Sequence, residues 1–337
     1  MTSHPFIALA AAATNAVPDF NVTAIGPPQR ASDDWLSTAV VDADGHRFTV
    51  LGARSETAKL RLAAEQPILA ALTKPHYATG LPFQLAKAAG TARTAENDPL
   101  VVFPELPGQP LVLKLLNQDA ARSLGAAIGA IHELDQTIVS DLNLPIEDAP
   151  TIRTRLLAEV DEAARTSRVP SSLLNRWEQA LEDVSLWQFA PCVIHGDISD
   201  ETLHMAGDEL AAVTGWFGLA VGDPAADLAW LFASAPEDCL DALEESYAVS
   251  RSQQPDAHIV DRALLLSELA LSRWLLHGVR NDDPQVIADA EDMLTTLARQ
   301  VGDDRPLGRT SPVIETDWSD SWQDTSEDAA TNGSDER

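Results

Sequence analysis

Two hydrophobic periodicities divide this chain. Over residues 22–51 apolar and polar positions alternate as on a strand with one buried face. Residues 22–25 read as a short strand, Gly26-Pro27-Pro28 as a turn, and residues 36–41 and 47–51 as the arms of a hairpin about Asp42-Ala43-Asp44-Gly45. Residues 55–72 carry Leu60, Leu62, Ala64, Ile68, Leu69 and Leu72 at helical spacing, and Pro67, which has no amide to donate, is expected to kink or restart that helix. Two further strands are expected at 83–89 and 100–106, and the Ala-rich run 7–13 is expected to open an amphipathic helix. The Pro and Gly punctuation of 104–111 reads as a hinge. Beyond it the three-to-four spacing of helices takes over, at 120–134, 171–186, 236–249, 257–279 and 284–301. The exception is 192–213, which reads as two short strands around a turn at Gly207-Asp208.

Composition narrows the picture. At 337 residues and 45% hydrophobic content the chain can bury a large core in one or two units. Its 52 acidic against 23 basic side chains give a net charge of −29, which repels nucleic-acid phosphates and anionic lipid, so no DNA, RNA or membrane partner is expected. A cationic ligand such as an amino sugar suits that field, although general acidity explains it more simply. Cys192 and Cys239 lie far apart and form no metal-binding or disulfide spacing; with no export leader or apolar span at the N-terminus, a cytoplasmic location is expected. Past Gly302 acidic residues, Ser, Thr, Gly and Asn dominate around Trp318 and Trp322. Such a segment is too polar to offset the entropy of ordering it, so 302–337 is expected to be a disordered tail, its tryptophans either a protein-recognition element or incidental.

Three motifs carry chemistry: Val193-Ile194-His195-Gly196-Asp197-Ile198-Ser199-Asp200-Glu201-Thr202-Leu203, Val213-Thr214-Gly215-Trp216, and Gly222-Asp223-Pro224-Ala225-Ala226-Asp227. Together they resemble the catalytic core of the aminoglycoside phosphotransferase family. The resemblance covers about residues 20–300. It implies an α+β, two-lobed, protein-kinase-like fold, with a small antiparallel-sheet lobe over 1–106 and a mostly helical lobe over 107–301. It implies ATP and magnesium as cofactors and a small-molecule hydroxyl as acceptor. In that family the Asp at position 197 accepts the hydroxyl proton, and the His at 195 holds the loop in shape.

The same resemblance exposes departures. An Asn five positions after the base and an Asp in an Asp-Trp pair hold the metal in that family; here those positions are Thr202 and Gly215. Asp200, Glu201 and Thr202 are the remaining candidate metal ligands, whereas Asp223 and Asp227 bracket a Pro turn and read as caps of a helix start. The strand position that should supply a phosphate-binding cation reads Leu51, leaving Glu65 on the following helix without its partner; Arg54 and Lys59 are the nearby substitutes. Glu105 and Leu106 of the hinge fall where the nucleotide binds. The turn at Gly26 holds two prolines where bare amides would cradle phosphate. Two functions follow from different classes: an ATP-dependent phosphotransferase of weakened activity, or a pseudokinase that binds a nucleotide, metabolite or protein. A purely structural role is the third reading. Trp274, His277 and Arg280 share one helix face and either line an acceptor pocket or serve packing.

Overall fold

The chain begins with α1 (Pro5–Ala13), whose Leu9, Ala10 and Ala13 are buried. In the computed structural model, which describes residues 5–18, 20–302 and 307, five strands of an antiparallel sheet follow, interrupted by two helices and a two-residue strand. In chain order these are β1 (Val22–Ala31), β2 (Trp35–Asp42), β3 (Arg47–Ala53), α2 (Glu56–Leu72), α3 (Pro75–Ala78), β4 (Gln84–Leu85), β5 (Gly90–Arg93) and β6 (Pro99–Pro104). The sheet order is β1-β2-β3-β6-β5. On β6 the alternation of side chains sends Leu100 and Val102 into a core with α1, Val40 and Val50, and Val101 and Phe103 into the core that contains α2. A helix therefore covers each face of this small lobe.

Three expectations for the small lobe are corrected. Gly26-Pro27-Pro28 is not a turn; it runs within β1, an edge strand where a residue without an N–H is tolerated, and the pairing with β2 slips at Ile25/Pro28 and again at Pro28/Arg30. Pro67 does not restart the helix, since α2 is continuous from Glu56 to Leu72, capped by the Ser55 hydroxyl accepting from the Ala58 amide at 3.1 Å. Of the strand expected at 83–89, two residues remain as β4, and they pair in parallel with the large lobe rather than with the small sheet. The small sheet takes β5 as its edge instead.

The large lobe comprises β7 (Gln109–Pro110), α4 (Gln118–His132), α5 (Thr137–Asp141), α6 (Ala149–Arg165), α7 (Ser171–Glu182), β8 (Cys192–Ile194), β9 (Leu203–Ala206), β10 (Glu209–Val213), β11 (Ala220–Gly222), α8 (Ala225–Ser234), α9 (Glu237–Ser250), α10 (Ile259–Asn281) and α11 (Pro284–Val301). The motif region thus holds three strands rather than two, β8 pairing with β11, and β9 with β10 in the sheet β4-β10-β9-β7. Helix α6 adds to the expected helices and buries one stripe through Ile152, Leu156, Val160 and Ala163. The buried Arg176 guanidinium of α7 meets Glu268 of α10 at 2.9 Å, and the Trp177 indole donates to the same carboxylate at 2.9 Å, so the charges that enter this core enter paired. No helix among the described residues is long and apolar enough to cross a membrane. The expected tail, apart from Gly302 and Leu307, lies outside the described residues.

Helices α4 and α9 pack backbone to backbone because α4 lacks side chains where they meet. A Cβ on Gly125 would lie 2.3 Å from the Leu243 carbonyl oxygen, and one on Gly129 would lie 2.7 Å from Ser250 Cβ. Since neither backbone can yield cheaply, Gly125→Ala is expected to lower the unfolding free energy by about 1–3 kcal/mol despite alanine's better helix propensity. Chemical denaturation of the two proteins measures the difference.

Candidate functional site

The loop that follows β8 is held from below by one buried carboxylate. Asp227, on the first turn of α8 and 1% exposed, accepts the His195 amide at 2.7 Å and the Gly196 amide at 2.8 Å. Its Oδ2 also contacts His132 Nε2 at 3.1 Å, and His132 Nδ1 reaches the Tyr247 hydroxyl at 2.9 Å. Burial pushes the Asp227 pKa up, but the His132 hydrogen bond and the Gly196 amide outweigh it, so the carboxyl sits below its usual range. Asp227 is therefore no helix cap: its oxygens reach across to the loop. Asp223 does accept the Ala225 amide at 2.9 Å at the start of α8, and is clamped by the buried Arg262 at 2.8 Å.

His195 completes the frame from above. It is fully buried; Nε2 donates to the Thr214 carbonyl at 2.9 Å, which leaves Nδ1 to accept the Asp197 amide at 3.2 Å. Burial lowers its pKa, consistent with a neutral ring in one tautomer. Its edge meets the Trp216 ring at 4.6 Å. The ring thus fixes the backbone of Asp197 without reaching the cleft. Gly196 turns the chain with φ +81, and a Cβ there would lie 2.3 Å from the Gly218 carbonyl oxygen. The result is an exposed Asp197 on a loop pinned through its two preceding residues.

Around this loop the two expected metal positions converge, with altered chemistry. Gly215 keeps the left-handed backbone, φ 76 and ψ 36, and a Cβ built on it would lie 3.8 Å from Asp197 Oδ2. The place for a second carboxylate beside Asp197 exists, and no side chain fills it from position 215. The Thr202 methyl does, standing 2.7 Å from that same Cβ position. The Thr202 hydroxyl accepts the Ser199 amide at 2.9 Å and lies 3.1 Å from both the Asp197 and Ser199 carbonyl oxygens. It closes the loop on itself.

The sequence profile of the phosphotransferase enzyme family matches residues 29–264. The chain belongs to that family. Among solved structures it is similar to the apoenzyme of macrolide 2'-phosphotransferase MphH from Brachybacterium faecium, at 21% identity and a TM-score of 0.72, over 84% of this chain and 96% of that one. It is also similar to a type I macrolide 2'-phosphotransferase, at 21% identity and 0.70 over 87% and 97%, and to the GDP complex of aminoglycoside 2'-phosphotransferase-IIIa, at 15% identity and 0.70 over 87% and 98%. At these identities the likeness establishes the fold. No curated protein matches the chain significantly.

Within this phosphotransferase-family frame, magnesium does not fit by the family route. It needs hard oxygen ligands; Thr202 has its hydroxyl engaged, and Gly215 has nothing to offer. Asp200 is half-buried and Glu201 exposed on the loop. Among the described residues the one grouping of three His, Cys, Asp or Glu with ligand atoms close enough to share an ion is elsewhere, Asp42, Asp44 and His46 at the tip of the β2–β3 hairpin. There Asp42 Oδ1 already accepts the Asp44 and His46 amides at 2.9 and 2.8 Å, the work of a turn.

Glu65 on α2 has found another partner. Its Oε1 accepts the Trp216 amide at 2.9 Å, the Gly215 amide also hydrogen-bonds to its carboxylate, and among the described residues no cation pairs with it. The substitute cations are engaged elsewhere: Arg54 donates to the Ser32 carbonyl at 2.7 Å, and Lys59 meets Glu56 at 2.8 Å and Asp98 at 2.7 Å. One turn before Glu65, Arg61 places its guanidinium 4.9 Å from the Phe217 ring centre. The only signal of this contact in the sequence is the four-residue offset of Arg61 from Glu65. In the hinge the Glu105 side chain pairs with Arg47 at 2.7 Å and its amide donates to the Arg47 carbonyl at 2.9 Å, while Leu106 packs on the main core. Trp274, His277 and Arg280 are engaged in packing and pairing: the indole stacks on His277 at 5.4 Å and donates to Asp289, and Arg280 pairs with Glu162 at 2.8 Å. Cys192 is buried, and burial pushes its thiol up to about 12, so it is no nucleophile.

Two outcomes are expected. Gly215→Asp alone drives its Cβ into the Thr202 methyl and costs on the order of 1–3 kcal/mol. Adding Thr202→Asn removes the clash, so the double variant is more stable than Gly215→Asp alone, and only the double variant gains a magnesium-dependent rise in melting temperature with ATP. Burial raises the Glu65 pKa against the pull of the two amides. A carboxyl whose folded pKa lies above its unfolded value, about 4.3, stabilises fully below that value and loses this contribution as pH rises through the folded value. Glu65→Gln keeps an acceptor without the charge, so its melting temperature is expected to gain on the wild type as pH rises above about 4.3. Glu65→Ala orphans two amides and is expected to lose about 1–3 kcal/mol throughout.

Proposed function

We propose that this member of the phosphotransferase enzyme family is a pseudokinase, a nucleotide- or metabolite-binding module whose phosphoryl transfer is weak or lost. The observation that carries this reading is the Thr202 methyl standing where a Gly215 side chain would lie beside Asp197. Phosphoryl transfer is mostly positioning and charge neutralisation, and magnesium is the largest positive charge at the phosphates. Removing its ligands withdraws several kcal/mol of transition-state stabilisation, on the order of a thousandfold or more in rate.

A second reading has its own support. Asp197 is exposed on a loop that Asp227 and His195 hold as a general base must be held, a cost without purpose if no hydroxyl ever meets it. On that reading Asp197 accepts the proton of a small-molecule hydroxyl as it attacks the γ-phosphate of ATP, and Asp200 and Glu201 supply oxygen ligands. Structural neighbours include complexes with kanamycin and GDP, with streptomycin and ATP, and with gentamicin. A polycationic amino sugar suits a chain of net charge −29 better than an anionic acceptor does. Either activity is consistent with a cytoplasmic protein.

Thermal melting with ATP or GDP, each with and without magnesium, separates the readings. A nucleotide at a hundred times its dissociation constant stabilises the folded chain by about 2.7 kcal/mol. The binding module is expected to show a shift that magnesium leaves unchanged and that survives Asp197→Ala. Magnesium-dependent phosphorylation of an aminoglycoside or macrolide, abolished by Asp197→Ala, would overturn it.

A further inference from the structure

The nucleotide site proposed above lacks the family's positive charges. Position 51 is a leucine, and Thr202 and Gly215 leave magnesium without its family ligands. A polyphosphate held without the metal must meet positive charge from the protein itself, the more so in a chain of net charge −29. Helix α2 and the residues just before it carry three cations, Arg54, Lys59 and Arg61. Arg54 is taken up by the Ser32 carbonyl, and Lys59 by Glu56 and Asp98. Arg61 is exposed, and among the described residues no oxygen holds its guanidinium.

What Arg61 does touch is an aromatic face, with its guanidinium carbon 4.9 Å from the centre of the Phe217 ring. A ring offers no acceptor oxygen, so this contact restrains a long side chain while its N–H fork stays available to an anion. Phe217 also fixes where the fork stands. It lies in the 3-10 turn Trp216–Gly218, two residues after Gly215, whose missing Cβ would stand 3.8 Å from Asp197 Oδ2. On its other side is Gly218, whose carbonyl oxygen a Cβ on Gly196 would meet at 2.3 Å. Glu65, four residues along α2 and so on the same face as Arg61, accepts the Trp216 amide from this turn at 2.9 Å. The face of α2 that carries Arg61 is therefore laid on the turn that borders the Asp197 loop. We propose that Arg61 is the phosphate-binding cation of this chain, supplied from α2 instead of the sheet. Steadied by Phe217, its guanidinium donates to the non-bridging oxygens of a nucleoside di- or triphosphate, and it does so without metal. Two parallel N–H···O bonds match the geometry of a phosphate, which makes arginine the side chain suited to the task. The inference rests on the nucleotide-binding reading and gives that reading its chemical basis.

The test is calorimetric titration of the full chain with ATP and with adenosine, in buffer that contains a chelator and no divalent metal. The wild type is expected to bind ATP more tightly than adenosine. Arg61→Gln, a change at an exposed position, is expected to weaken ATP binding at least about tenfold and to leave adenosine binding unchanged. Arg61→Lys, which restores the charge without the fork, is expected to recover part of the loss. Added salt is expected to weaken ATP binding more steeply in the wild type than in Arg61→Gln. A role confined to holding α2 against Phe217 would move ATP and adenosine together, so a parallel loss of both overturns the proposal. So does equal affinity of the wild type for ATP and adenosine, or a lysine variant no better than the glutamine one. Failure of the wild-type chain to bind either ligand sinks the nucleotide-binding reading and this inference with it. Equal binding of ATP by the wild type and Arg61→Gln sinks only the role assigned to Arg61.

Discussion

The site depends on one buried carboxylate. Asp227 has no solvent to answer to, and its oxygens hold the amides of His195 and Gly196, with His132 supplying the compensating hydrogen bond from another helix. A buried carboxylate lacking these partners would be among the costlier groups in the molecule; with them it becomes the fixed point about which the loop is drawn. His195 then fixes the Asp197 amide, and Trp216 packs on His195, so the strand end, the loop and the segment after β10 form one body.

Two local arrangements stand on this frame. In the family's parts list a metal stands between two protein ligands, and a strand cation is oriented by a helix carboxylate. In this chain the methyl of Thr202 occupies the space beside Gly215, and its hydroxyl ties the loop to itself. Glu65 accepts the backbone amides of Gly215 and Trp216. Each of these groups has a structural partner in this chain, and a carboxylate–amide bond joins α2 to the segment after β10.

Legibility from sequence followed the reach of the interaction involved. The hairpin around Asp42–Gly45, helices α2, α4, α7, α9, α10 and α11, and the order of loop motifs were readable because period and turn chemistry are local. The prolines of β1 misled because a turn and an edge strand ask the same of a residue without an amide, and only pairing with β2 separates them. The two-residue β4 was overread because its partner is β10, on the other lobe.

For the site, the residues alone showed which loop resembles the family's catalytic core and that positions 202 and 215 carry no carboxylate or carboxamide, a property of single positions. Tertiary structure alone decided what replaced them. Glu65 and Trp216 are 151 positions apart, and an amide that donates to a carboxylate looks the same in sequence beneath any side chain. The Thr202 methyl meets the Gly215 position across a hairpin, and Asp227 looked like a helix cap until the fold turned its oxygens toward the loop. Side-chain identity is written in the chain; the neighbour that satisfies it is set by packing, because backbone groups, empty volumes and buried contacts carry no letter of their own.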